Sequence, residues 1–306
     1  MRLLKHRTRH SPPGTAPGTV TIQPGARKPQ LDVTSFGPNA HPASIRRIRL
    51  DATESLPELP AGHTVRWLNV AGLGDAEVLQ AVGRRFNIHA LTLEDIAGTA
   101  HRPKAEAYDN YLFIVTQVPI IDKPSPANES DESGMYTAAD EPAILATRQI
   151  SVCIGTDFVI TFQEQEDDVI FAPVRQRLMR HTGRLHTLGP DYLAYAILDA
   201  ALDSFFPLLE DYGEVVERLE ADVIEQPSMQ QISRIHNLKR NLLTTRRAVW
   251  PQREMLNSLI RDETPLIAAN TRLYLRDCYD HTIQLLDMIE TCREIATGLV
   301  DILLSS

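Results

Sequence analysis

The stretch Thr64-Val-Arg-Trp-Leu-Asn-Val70, the turn Gly72-Leu-Gly74 and the run from Asp75 to Phe86 carry the first decision about fold. Residues 64–70 have the β-branched and aromatic content of a strand. From 75 onward the apolar residues recur at 76, 78, 79, 82 and 86, the spacing of a helix face. A strand that hands over to a helix within a few residues predicts helices packed on a sheet.

Working outward, Ser44–Leu50, Tyr111–Val118, Ala143–Ala146, Ile150–Ile154 and Phe158–Phe162 read as further strands, and Ala90–Ile96 as a second short helix. Gly155-Thr156-Asp157 is a turn between two strands, and residues 122–142, with Pro124, Pro126, Asn128 and Gly134, read as a polar loop. The expected fold class is α+β: an α/β/α sandwich over 36–185 with a mixed sheet, followed by a helical domain over 186–306. Residues 1–35, rich in Pro, Gly and Arg, read as a flexible basic arm.

In the helical domain, Pro190 opens a helix that runs to about Glu225, and the chain reverses at Gln226-Pro227. Ser228 and Gln231 have the spacing of a capping box, so a second helix starts there and completes a hairpin over 190–260. Trp250-Pro251 predicts a bend or a register change in it. Residues 199–225 hold nine acids and one base, and 232–253 hold six bases and no acid, so the two helices have opposite charge and can pair. A long stalk helix is expected over 267–306. It ends without the Gly cap or following Pro that usually closes a helix, and reads as interrupted.

Composition narrows the function. With a formal net charge of −9, and nine Lys or Arg against the single acid Asp32 in residues 1–50, the rest of the chain carries about −17. That argues against nucleic-acid binding by the body of the protein. The three cysteines, Cys153, Cys278 and Cys292, are scattered and lack metal or disulfide spacing, which fits a reducing compartment. No window approaches the roughly 18 to 20 uninterrupted apolar residues that a membrane helix needs, so the chain as given reads as soluble. Nucleophile-elbow, zincin, phosphate-loop and dinucleotide motifs are all missing, and the chain reads as a non-enzyme.

What chemistry remains is acidic. In the last helix Asp280, Asp287, Glu294 and Asp301 recur every seven residues and form one stripe about 30 Å long. Leu285, Met288, Ile289, Cys292, Ile295, Ala296, Leu299, Ile302 and Leu303 are expected to fill the opposite side. The stripe is either a solvated face or, because it lacks the alternating bases that stabilise an isolated helix, the lining of a symmetric bundle that holds cations. One turn earlier, Asp277 and His281 share a face at i,i+4. That pair can clamp a metal or simply hydrogen-bond at the surface. Glu94 and Asp95 are adjacent acids that point in different directions on a short helix.

Four blocks, in order, resemble the CorA metal-ion transporter family. They are Glu94-Asp-Ile96 with His101-Arg-Pro-Lys104, Glu106, Tyr108 and Leu112-Phe-Ile-Val115; Asp191-Tyr-Leu193 with Asp199-Ala200; Asn237-Leu-Lys-Arg240 with Trp250-Pro251 and Arg253-Glu254; and Tyr274 through Gln284 with Gly298-Leu299, Asp301 and Ser305-Ser306. The likeness covers about residues 60 to 306. It implies the cytoplasmic part of a homopentameric channel in the inner membrane, joined to the membrane only through spans that would follow this chain. It also implies regulatory Mg2+ bound between subunits, with Co2+, Ni2+ or Zn2+ as other possible ions. By that resemblance Asp95 of one subunit pairs with Asp277 of the next, with Glu94, Asp199 and His281 around a second site and Asp301 in a ring near the membrane end of the pore. The Gly-Met-Asn signature of the family is not in this sequence. Zinc-transporting relatives and a soluble metal-responsive helical scaffold are the alternatives.

Overall fold

Strand β3 (Val65–Ala71) sends Val65 and Trp67 into one apolar cluster and Leu68 and Val70 into another, and all four are buried. Two buried faces on one strand require a layer on each side. In the computed structural model, which describes residues 14–39, 46–50, 58–99, 101–122, 144–165, 168–180, 184–225 and 227–305, both layers are present. The sheet also contains β1 (Gln30–Phe36), β2 (Arg46–Leu50), β4 (Lys104–Ala107), β5 (Leu112–Asp122), β6 (Ile144–Ile154) and β7 (Phe158–Gln163), in the order β2-β1-β3-β7-β6-β5-β4. Only β3 and β7 run parallel; the other neighbours are antiparallel, so the sheet is mixed.

Helices α1 (Ala76–Phe86) and α2 (Ala90–Gly98) cover one face. Val78, Leu79, Val82 and Phe86 of α1 and Leu93 and Ile96 of α2 pack with Phe113, Val115, Ile160 and Phe162. Asp75 caps α1 by accepting the Glu77 and Val78 N–H groups at 2.9 and 3.3 Å, and Asn87 closes it in the left-handed conformation. The opposite face, lined by Trp67, Ile114, Val152 and Val159, carries α3 (Asp168–Met179) and α4 (Pro190–Asp203). From there the apolar cluster continues without a break into α5 (Phe205–Glu225), α6 (Met229–Arg261) and α7 (Ala269–Ser305).

The expected sandwich, hairpin and stalk are therefore present, and the differences are local. Residues 30–35, assigned to the flexible arm, belong to strand β1, which pairs with both β2 and β3. Leu31, Val33 and Phe36 are buried, which outweighs the proline-rich flanks that hid the strand. The helix expected over 190–225 divides at Ser204 into α4 and α5. Pro207 lacks the N–H that would bond back to Asp203, which accounts for the break. Pro251, by contrast, lies inside a continuous α6. The capping box forms, with the Gln231 side chain accepting the Ser228 N–H at 2.9 Å. Helix α3, with Pro173 in its interior, and the edge strand β4 were not foreseen. Residues 1–13 of the arm and 123–142 of the polar loop lie outside the described residues.

Opposite charge joins α5 to α6 through Arg234 and Asp222 at 3.1 Å, but other α6 bases turn to the stalk. Arg246 pairs with Glu290 at 2.7 Å and Lys239 donates to Thr297 at 2.9 Å, so α6 and α7 run antiparallel. The segment 190–225 is long and apolar enough to cross a membrane by composition, yet 67% of its most apolar window is buried within the protein, as expected of a core helix.

If β1 belongs to the core, Phe36→Ala will destabilise the chain by about 3 kcal/mol, the lower end for truncating a buried phenylalanine. Urea unfolding measures this, and a change within about 0.5 kcal/mol would return the segment to a flexible arm.

Candidate metal site

Helix α4 ends with two acids one turn apart, Asp199 and Asp203, and α7 begins with Asp277 and His281 at the same spacing. Ring contacts of Tyr192 and Tyr195 with Tyr274, at 5.1 and 5.2 Å, pack the two helices together. The pairs consequently meet. One ligand atom from each of Asp199, Asp203 and His281 lies within 4.8 Å of the others. His281 Nδ1 stands 3.5 Å from Asp203 Oδ1, and its Nε2 stands 3.9 Å from Asp277 Oδ2. Neither separation is a hydrogen bond, and His281 Nδ1 is buried without one. The Phe206 ring meets the imidazole edge-on at 5.8 Å and closes one side.

The electrostatics suit a cation. Asp199 is held above the usual carboxylate range, first by burial and then by the charge of Asp203; among the described residues the Cys278 thiol donates to it, at 3.7 Å. Asp203 is also raised, by burial and by Asp277, with His281 opposing. Burial likewise pushes the Cys278 thiol up, which keeps it uncharged beside these acids. A partly buried carboxylate, an exposed one beside it and an unsatisfied imidazole nitrogen fit a divalent ion as donors. Their spacing leaves room for an ion that retains part of its water shell.

Of the residues that the family resemblance implied for two sites, the structure brings Asp199 and His281 together with Asp277 beside them, and it adds Asp203, which the sequence reading did not name. The signal was available, because Asp203 follows Asp199 at i,i+4. Glu94 and Asp95 are elsewhere: α2 belongs to the layer on one sheet face, whereas α4 and α7 belong to the other. Within one chain Asp95 instead bonds Lys104 at 2.7 Å and faces His101 at 3.5 Å. Glu94 accepts the Gly18 N–H at 2.7 Å. Asp280, Asp287, Glu294 and Asp301 are all exposed along α7, and the first two line an open groove of about 520 Å3 against Leu209 and Gly213 of α5. Ile295 and Ile302, expected on the buried side, are 38% and 49% exposed and flank Glu294 and Asp301. The 3.6-residue turn carries these two positions around to the open face.

Comparison with known proteins agrees with this architecture. The sequence profile of the family described as CorA-like Mg2+ transporter protein matches residues 62–306. The cobalt/magnesium transport protein CorA of Thermotoga maritima is 37% identical over 293 residues, covering 96% of this chain and 78% of that protein. The complete structure of the CorA magnesium transporter from Methanocaldococcus jannaschii superposes with a TM-score of 0.68 at 20% identity, over 90% of this chain and 76% of that one. The cytoplasmic domain of ZntB from Vibrio parahaemolyticus gives 0.64 at 13% identity, over 89% and 95%. At these identities the two structures bear on the fold.

A test follows from the raised carboxylates alone. Stability held by their protonated forms is complete below the ordinary carboxylate pKa of about 3.9 and falls as pH rises through the higher folded-state values. In chelator, Asp203→Asn will therefore raise the thermal midpoint at neutral pH and leave it little changed at pH 3.5. An equal shift at both pH values would mean that the two acids do not repel each other.

Proposed function

The chain belongs to the family of CorA-like Mg2+ transporter proteins, and from that premise we propose that it is the cytoplasmic metal-sensing and ion-funnel part of a divalent-cation channel. The observation that carries the reading is the meeting of Asp199, Asp203 and His281, with Asp277 beside them, at the junction of α4 and α7. A bound Mg2+ would neutralise carboxylates that the fold places together, one of them partly buried. Because Glu94 and Asp95 stand on the other side of the sheet, they would reach such an ion only from a neighbouring copy. Occupancy would then hold copies together and favour a closed homopentamer, and loss of the ion would release them by the same linkage. Asp280, Asp287, Glu294 and Asp301 would face the axis and concentrate cations on the way to the pore.

Zinc is the second reading. His281 supplies an imidazole nitrogen, a donor that favours Zn2+, Co2+ and Ni2+ over Mg2+, and the fold is shared with the ZntB cytoplasmic domain. Carboxylates outnumber the imidazole at the site, which places magnesium first.

Thermal unfolding with rising magnesium chloride tests the site. At about a hundred times the dissociation constant, binding adds about 2.7 kcal/mol and raises the midpoint by several degrees. Asp199→Asn combined with Asp203→Asn will remove that rise, while Glu225→Gln, on the far end of α5, will keep it. A rise that survives the double substitution would move the site elsewhere, and a response to zinc alone would favour the second reading.

For the funnel, Asp287→Lys will alter cation flux through the membrane-embedded protein yet change the stability of this chain by less than about 0.5 kcal/mol, as expected at an exposed position. Unaltered flux would make the stripe a solvated face.

A further inference from the structure

Residues 14–29, which precede β1, run along α2 and hold it at both ends. Near its start, the Gly18 N–H donates to Glu94 Oε2 at 2.7 Å. The contact depends on glycine: Gly18 has φ +81°, and a Cβ there would stand 2.9 Å from the Cβ of Ala90. At the other end, the Gln23 side-chain amide donates to Gly98 O at 3.2 Å and to the Thr99 hydroxyl. Val20 and Ile22 pack against the apolar cluster beneath the helix. Beyond them, the Arg27 carbonyl accepts the Gly74 N–H at 2.7 Å, in a place where Gly74 leaves no room for a side chain. This segment is a fitted strap.

What the strap holds is one of two adjacent acids. Successive residues on a helix are turned by about 100°, so Glu94 is fixed toward the strap while Asp95 faces Lys104. A carboxylate bonded at 2.7 Å to a backbone N–H has given part of its acceptor strength to that donor, in a charge-assisted bond. The bond engages Glu94 Oε2, and for the carboxylate to reach a cation shared with another copy the side chain would swing away from the strap and lengthen or break it. The strap would not be lost when it does, because Gln23, Val20 and Ile22 anchor it independently.

We propose that the strap is an intramolecular competitor for Glu94, so that strap docking through Gly18 and cation binding at α2 oppose each other. The proposal rests on the metal-sensing reading of Glu94. Its consequence is that anything that frees the strap sensitises the sensor, and that magnesium loosens the strap locally at Gly18.

Amide hydrogen exchange at Gly18 in the full chain, with and without magnesium chloride, tests this when the thermal midpoint is followed in the same samples. Magnesium will speed Gly18 exchange about fivefold or more, the lower end of ordinary coupling between sites. Gly18→Val, which cannot dock, will need about fivefold less magnesium for the same midpoint rise. Glu94→Gln keeps an acceptor for the Gly18 N–H, so its protection will persist and no longer respond to magnesium. A midpoint that rises with magnesium while Gly18 exchange stays constant or slows would overturn the competition and leave the metal reading standing. No rise at all would overturn both.

Discussion

The burial of α4 is the constraint on which the rest depends. Ten of its fourteen residues are buried, from Asp191 to Leu202, because the sheet with α3 covers one side and the stalk covers the other. Even its acidic start is used, since Asp191 Oδ2 accepts the Ala268 N–H at 2.9 Å and so fixes the entry to α7. A helix in that position can present polar groups only where its cover ends. Asp199 and Asp203 occur there, near the C-terminal end, Asp199 partly buried against the core and Asp203 exposed beside it. The site is thus a product of packing: carboxylates are brought to the edge of an apolar cluster and left short of donors.

Much of this was legible because periodicity survives in sequence when an element is amphipathic. The strand at 64–70, the helix at 75–86 and the capping box at Ser228 each announce themselves within a few residues. Strand β1 alternates only over Leu31-Asp-Val-Thr34, within Pro- and Gly-rich flanks, and its polar residues Asp32, Thr34 and Ser35 are buried along with Leu31, Val33 and Phe36, which so short a pattern does not announce. Asp32 is tolerated because Arg175, stacked near the Trp67 ring at 5.6 Å, stands 3.9 Å from it. That partner is more than a hundred residues away, and local pattern cannot supply it. The candidate site divides the same way. Its i,i+4 pairs are local and readable, whereas the meeting of α4 with α7 and the engagement of Glu94 by Gly18 are tertiary facts.

The two acids of α2 share a design. Each has a stand-in for a cation inside its own chain, an ammonium for Asp95 and a backbone N–H for Glu94. Lys104 is itself held by both Asp95 and Glu106, and these bonds raise its affinity for the proton despite the burial that opposes it. An anionic helix that had to wait bare for an ion from solution would destabilise the fold whenever the ion was scarce. Internal donors remove that penalty, and under the sensing reading proposed above they would also weaken the site so that it empties as well as fills.

The exposed face of α7 carries the argument one step further. A solvated helix face ordinarily mixes signs, and a core-facing stripe is apolar; this face does neither. Ile283, Ile295 and Ile302 are each more than a third exposed, and they are interspersed along the helix with Asp280, Asp287, Glu294 and Asp301. Isoleucines so placed gain by contact with another surface, and unpaired acids lose by it unless cations stand between them. Both demands are met together when identical helices gather around an axis that holds ions, the apolar residues closing the seams and the acids facing inward. Under the channel reading proposed above, that arrangement would account for the open face of the stalk more fully than the acidic repeat alone.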